Sequence, residues 1–276
     1  MTQGEAGARR RLRELGSVVV AYSGGVDSSV VLCLALQELG PNNVLAVTAH
    51  GDVHVAEELQ SAKELAALLG ARHQVISTRE LEIPGFAANP PERCYLCRSA
   101  LYDKLLVLAA DHSLAAVVDG VTADDSQDYR PGLRAGRERG VRSPLLEAGL
   151  RKQEIRSLAQ RLGLPNWNRP ASPCLASRFP YGERLTRRNL ERVATGEREL
   201  RSLGFSVVRM RHHGPLVRVE VSADKVSAAT TPPLREAIVR LMRGLGYQYV
   251  TLDLEGFRSG SMNEVLQTQT TAEGEA

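Results

Sequence analysis

The sequence predicts an α/β protein: a parallel sheet with helices on both faces, followed by a small α+β module. Three observations carry this. Strand-length apolar runs alternate with helix-length segments from residue 17 to residue 162. A long proline-bearing stretch, 163–186, then breaks the alternation. Beyond it the style changes to a charged helix, a hairpin-like pair of runs and a further helix. With 276 residues the chain is long enough for one large domain, or a medium one plus a smaller.

The elements follow in order. SVVVAY, 17–22, reads as a buried strand, and 28–39 has helical spacing closed by Gly40 as a C-cap. VLAVTA, 44–49, is a second strand, 56–69 a helix ended by Gly70, and 73–77 a third strand. Residues 97–110 read as a helix, 115–118 as a fourth strand and 152–162 as a helix. Parallel strands joined this way are covered on both faces, and their ligands bind beyond the carboxyl ends. After the irregular stretch, 187–203 is a helix, SVVRMRHHGPLVRVEV a hairpin around Gly214, 233–245 a helix and 247–252 a last strand. The expected domains are 1–165 for the sheet domain, 166–186 for a cysteine-bearing loop and 187–263 for the α+β module. A disordered tail is expected over 264–276.

Composition narrows the function classes. Hydrophobic residues at 43% and charged residues at 24% describe an ordinary soluble chain. No apolar run approaches the roughly 20 residues that span a bilayer, and no signal-type apolar core follows the basic start. A cytoplasmic location without a membrane partner is therefore expected. The net charge of +3 and an aromatic content of 4% give neither the basic patch nor the stacking platform of a nucleic-acid binder. Of the four cysteines, Cys33 lies in an apolar helical run and reads as a small buried hydrophobe. Cys94, Cys97 and Cys174 lie in polar, proline-containing segments that suggest chemistry.

The strongest motif is SGGVDSS, residues 23–29, between the first strand and the first long helix. Gly24 and Gly25 let backbone amides approach an anion, and the helix N-terminus adds a favourable dipole. Ser23, Ser28 and Ser29 offer hydroxyls to phosphate, and Asp27 is placed to hold Mg²⁺. No lysine ends the loop, so it is not the type that grips β- and γ-phosphates. Gly120, following the AAVV strand, falls at the same end of the sheet. SGGVDSS resembles the PP-loop of the N-type ATP pyrophosphatases, the adenine nucleotide alpha hydrolase-like fold. These enzymes cradle the pyrophosphate released when ATP adenylates a substrate.

Four further stretches narrow the resemblance: NPPERCYLCR (89–98), DGVTADD with YRPGLR (119–125, 129–134), RPASPCLASRFPYG (169–182) and YVTLDLEGFRSGSMN (249–263). In this order they resemble the LarE family of ATP-dependent sulfur transferases, from the PP-loop to Asn263. The resemblance implies adenylation of pyridinium-3,5-biscarboxylic acid mononucleotide by ATP and Mg²⁺. Sulfur then displaces AMP to give the thiocarboxylates of the nickel-pincer cofactor. It also implies catalytic roles for Cys174 and Asp27, and a tendency to form homo-oligomers.

The sulfur source has two readings. In one branch of the family the cysteine at the position of Cys174 surrenders its own sulfur and becomes dehydroalanine. In another, three cysteines hold a [4Fe-4S] cluster with an exchangeable sulfide. Cys94, Cys97 and Cys174 together suit the second, because three thiolates leave one iron of a cubane open. Arg130, Arg134 and Arg178 are candidates for the substrate phosphate and carboxylates, since guanidinium forks bind both. Asp124 and Asp125 are either positioned toward ATP or metal, or part of an Asx turn or cap. Thr122 stands where the family usually has Asn. His212 and His213, adjacent on a strand, face opposite sides and do not read as a metal pair. The competing reading is a PP-loop tRNA 2-thiolation enzyme.

Overall fold

The computed structural model describes residues 1–127, 131–170 and 172–258. Arg130, Asn263 and the expected tail 264–276 lie outside them. The chain divides into two compact units, residues 1–86 with 90–173, and residues 87–89 with 174 onward.

The first unit is a four-stranded parallel sheet in the order β3-β2-β1-β4, made of β1 (Val18–Ala21), β2 (Val44–His50), β3 (Arg72–Ser77) and β4 (Ala116–Val118). Its helices are α1 (Gln3–Leu15), α2 (Val26–Leu39), α3 (Ala56–Leu68), α4 (Arg93–Asp111), α5 (Pro131–Glu138), α6 (Pro144–Glu147) and α7 (Lys152–Arg161). The all-apolar β1 is explained by its central place. Val18 and Val20 point into a core shared with α1, α2, α3 and α7, while Val19 points into one shared with α4 and α5. All three are fully buried, each contributing about 1.5–3 kcal/mol of transfer free energy. Within α2, Cys33 is buried as expected, and burial pushes its thiol pKa up.

Helix α1 lies outside the segments whose spacing predicts a helix, because the basic start carries little apolar periodicity. Thr2 accepts from the Glu5 amide as its N-cap, and charge fixes the rest: buried Glu5 pairs with Arg9 at 3.0 Å and with Arg161 of α7 at 2.7 Å. Helices α5 and α6 likewise lie outside the segments whose spacing predicts a helix.

The second unit holds α8 (Arg187–Ser202), the hairpin β5 (Val208–His213) and β6 (Leu216–Val221), α9 (Val226–Thr230), α10 (Leu234–Gly244) and β7 (Tyr249–Leu252). The sheet runs β5-β6-β7, antiparallel then parallel. Gly214 turns the hairpin with φ of 57°. Gly196 lets α8 press on β5, since a Cβ there would run into the Met210 sulfur. The stretch expected as one loop, 166–186, is divided: 166–173 belongs to the first unit and 174–186 to the second. Asn89 ties the short piece 87–89 into the second unit, its Nδ2 donating to the Pro180 carbonyl at 2.7 Å.

Candidate functional site

The first unit has the switch point of strand order at which open α/β sheets bind nucleotides. Strand order reverses between β1 and β4, and the helices change faces there. The loop after β1 is Ser23–Ser29, and the residue two beyond β4 is Gly120. The two segments touch: a Cβ on Gly120 would lie 2.7 Å from the Ser28 nitrogen and 3.0 Å from the Asp27 carbonyl carbon. Only glycine fits without displacing the loop.

Residue by residue, the loop alternates outward and inward. Ser23 is exposed and Gly25 and Asp27 are half-exposed, whereas Gly24, Val26, Ser28 and Ser29 are buried. Gly24 has φ of 73°, and a Cβ there would come within 2.8 Å of the Ala62 methyl of α3. Gly25 is the N-cap of α2 and brings no side chain to the helix amides. Those amides and the α2 dipole are what an anion would meet.

The serines divide their labour differently from expectation. Ser29 is fully buried and its Oγ donates to the Gly25 carbonyl at 2.8 Å, so it is turned into the helix. Ser28 Oγ donates to the same carbonyl at 3.1 Å and accepts from the Ser23 amide at 3.2 Å. Both hydroxyls brace the loop, leaving Ser23 as the exposed one. A residue missed in the sequence completes the brace. Asn166, beyond α7, donates from Nδ2 to the Gly24 carbonyl and the Ser29 hydroxyl, both at 3.0 Å. No local pattern near Asn166 signals a bond across more than 130 residues.

At the end of β4, Asp119 is buried and accepts from Tyr102 Oη and Ser143 Oγ, both at 2.7 Å. Burial pushes the Tyr102 phenol pKa well up, which keeps it the donor. Of the two readings of Asp124 and Asp125, the structure gives turn and cap contacts. Asp125 Oδ2 accepts from the Thr122 amide at 2.9 Å and from its hydroxyl at 3.0 Å, and Asp124 caps α7 through the Lys152 amide at 2.6 Å. Beyond β2, Gly51 packs hard on the Thr78 carbonyl, leaving no room for a side chain.

Cys94 and Cys97 lie in the first turns of α4, which begins at Arg93 rather than at Cys97 as expected. Their i, i+3 spacing puts both on one helical face, with Cys94 exposed and Cys97 half-buried. Arg134 of α5 stacks on Tyr95, between the two cysteines in sequence, at 4.2 Å from the ring centre.

In the second unit, Cys174 is half-buried and caps a short 3₁₀ turn, Leu175–Arg178. Its carbonyl accepts from the Ser177 amide at 3.0 Å, from Ser177 Oγ at 2.8 Å and from Arg178 Nη1 at 3.1 Å. Arg178 therefore departs from its expected substrate-binding role. It is fully buried, and its fork pairs with Glu197 of α8 at 2.9 and 3.0 Å. Burial pushes the Glu197 carboxyl up, but the Arg178 hydrogen bonds and charge outweigh this and hold its pKa below the usual carboxylate range. Arg211, paired to buried Glu220, donates to the Ser177 carbonyl at 3.1 Å. His212 is buried against Tyr247, its Nδ1 2.9 Å from the phenol oxygen.

Among the described residues, no group of three or more His, Cys, Asp or Glu side chains is arranged to hold a metal ion. No helix among them is long and apolar enough to cross a membrane.

Comparison with known proteins agrees with this geometry. Residues 8–83, which contain the loop, match the NAD synthase family. The pyridinium-3,5-bisthiocarboxylic acid mononucleotide synthase of Lactiplantibacillus plantarum is 44% identical over 255 residues, 92% of this chain and 92% of that protein. An uncharacterized protein of Synechocystis sp. is also 44% identical, over 94% of this chain and 96% of its own length. The argininosuccinate synthase of Halobacterium salinarum is 32% identical over 53% of this chain and 39% of its own. The last likeness is partial, whereas the first two span both units, and they show that the chain belongs to the LarE family of PP-loop enzymes.

Proposed function

We propose that the chain is an ATP-dependent sulfur transferase acting on pyridinium-3,5-biscarboxylic acid mononucleotide in nickel-pincer cofactor biosynthesis. The observation that carries this reading is the 44% identity to the L. plantarum synthase over 92% of both chains, long enough to include both the phosphate loop and the Cys174 turn. A substrate carboxylate oxygen attacks the α-phosphorus of ATP and pyrophosphate leaves. Sulfur then adds at the acyl carbon, and AMP leaves with the original carboxylate oxygen.

The residues divide the work by position. The outward amides of Gly25 and Val26 and the α2 dipole would receive the pyrophosphate, with Ser23 Oγ beside them. Asp27, in the first turn of α2, would hold Mg²⁺, which neutralises phosphate charge when bound. Gly120 keeps the opposing segment from crowding this loop. Arg134, beside the cysteine-bearing turn, is the described arginine proposed to meet the substrate, as is Arg130 from its sequence motif.

For the sulfur source we favour a [4Fe-4S] cluster on Cys94, Cys97 and Cys174. The same-face pairing of Cys94 and Cys97 in the first turns of α4 supports it. Such a cluster would leave one iron free to carry an exchangeable sulfide. The test is anaerobic purification with iron analysis, then turnover with ATP, sulfide and the biscarboxylate, with bulk tRNA as the competing substrate. Iron-loaded protein that turns over repeatedly on the biscarboxylate is expected. Iron-free protein that reacts once, with Cys174 lighter by the mass of H₂S, would overturn the cluster. Pyrophosphate release with tRNA alone would overturn the substrate.

A further inference from the structure

The phosphate loop is held in its anion-ready shape by a residue outside any recognised motif. In a trans peptide the C=O and the following N–H point in opposite directions. Whatever holds the Gly24 carbonyl therefore also aims the Gly25 N–H. Asn166 Nδ2 holds that carbonyl at 3.0 Å, beside the hydroxyl of fully buried Ser29. The Gly25 N–H consequently faces the other way, where its nearest partner is the exposed Ser23 hydroxyl at a long 3.3 Å. The next peptide repeats the device. Ser28 and Ser29 hold the Gly25 carbonyl inward, which turns the Val26 N–H outward. Two successive N–H groups aimed to one side form an anion nest.

The orientation of the Asn166 amide is fixed by its partners. A carbonyl only accepts, so the group facing the Gly24 oxygen must be the amino end. Its Oδ1 is then buried with no partner among the described residues. The turn that carries Asn166 is itself anchored. Arg169 N donates to the Asn166 carbonyl at 2.9 Å, and Arg156 of α7 donates to Asn168 Oδ1 at 3.1 Å and to the Arg169 carbonyl at 3.2 Å. The asparagine thus presents its amide to the loop from a braced frame.

We propose that Asn166 is a positioning residue for the pyrophosphate moiety of ATP, acting through the Gly24 peptide and Ser29. This rests on the phosphate-loop reading of Ser23–Ser29. Asn166→Ala removes both hydrogen bonds. Asn166→Asp keeps the shape but sets an acceptor against the Gly24 carbonyl and adds negative charge near the anion. Calorimetric titration of the full-length protein with magnesium pyrophosphate and, separately, with AMP reads the effect. Asn166→Ala should weaken pyrophosphate binding roughly tenfold, the factor carried by about one ordinary hydrogen bond, and Asn166→Asp more. AMP, which lacks the pyrophosphate, should bind within about twofold of wild type. Ser29→Ala, which removes one of the two acceptors, should weaken pyrophosphate by a few-fold and serves if an Asn166 variant does not fold. Pyrophosphate affinity unchanged in the folded variants, or AMP weakened as much as pyrophosphate, overturns the proposal while leaving the loop's function intact. Wild-type protein that binds no pyrophosphate overturns the phosphate-loop reading and this role with it.

Discussion

Replacing Arg178 by methionine separates a substrate-binding arginine from a structural one. Glu197 is fully enclosed and its carboxylate accepts from Arg178, Arg201 and the Met210 amide. Arg178 donates at 2.9 and 3.0 Å, Arg201 at 3.1 Å and the Met210 amide at 3.1 Å. Arg178→Met removes the two bonds from the fork and takes the main charge partner from a buried carboxylate. Breaking a buried pair from one side costs about 3–5 kcal/mol. A unit of this size is stable by only roughly 4–13 kcal/mol, so the loss is a large share. Hydrogen exchange at the β5 amides, with urea unfolding followed by far-UV circular dichroism, reads it directly.

The pH dependence fixes the sign. Glu197 is held below its unfolded pKa of about 4.3, so its stabilisation is present above that value and lost as pH falls through the folded pKa. The Glu197 contribution should be flat above about pH 5 and weaken on acidification, and the difference between wild type and variant isolates it from the buried histidines, which are common to both. Without Arg178, burial dominates and raises the carboxyl, so the gap between variant and wild type should narrow toward acid. Stability within about 1 kcal/mol of wild type, with a raised KM for the biscarboxylate, would refute this and restore Arg178 to the substrate.

Three other variants probe separate parts. Gly120→Ala drives a methyl into the Ser28 backbone at 2.7 Å, and ATP affinity should drop at least tenfold with a stability loss of about 1–3 kcal/mol by thermal unfolding. Asp27→Ala, at a half-exposed position, should leave the melting temperature unchanged while pyrophosphate release falls roughly a hundredfold or more. Cys174→Ser should still form the adenylate, seen by mass spectrometry, without thiocarboxylate; loss of ATP binding would assign Cys174 a structural role.

The parallel sheet was legible in the sequence because β1, β2 and β4 are short apolar runs buried on both faces, and because α2 and α3 end in glycine. The phosphate loop was legible because its glycines and its place between strand and helix are local. What escaped was non-local or electrostatic. Helix α1 is fixed by Glu5 pairing with Arg161, far along the chain, and Asn166 braces Gly24 across more than 130 residues. The direction of each loop hydroxyl was also illegible. Three serines look alike as letters, yet helix geometry turns Ser28 and Ser29 inward and leaves Ser23 exposed. Arg178 misled for a related reason, since a fork suited to a ligand carboxylate suits Glu197 equally well.

The phosphate loop and the Cys174 turn share one construction. In the loop, the carbonyls of Gly24 and Gly25 are held by Asn166, Ser28 and Ser29; in the second unit, those of Cys174 and Ser177 are held by Arg178 and Arg211. Fixing a carbonyl sets the peptide plane without using the N–H groups on its other side, so mutation of the bracing residues should disturb those groups indirectly. Fork geometry then matters more than charge at Arg178, where one guanidinium serves Glu197 through two nitrogens and the Cys174 carbonyl through a third. Arg178→Lys keeps the charge but has one nitrogen for these tasks. It should lose about 1.5–3 kcal/mol by urea unfolding and speed alkylation of Cys174, because the turn that holds the thiol loosens. Arg134→Lys, at an exposed position stacked on Tyr95, should leave both measurements unchanged. Equal alkylation rates in wild type and Arg178→Lys would mean that the Cys174 turn holds its shape without the fork.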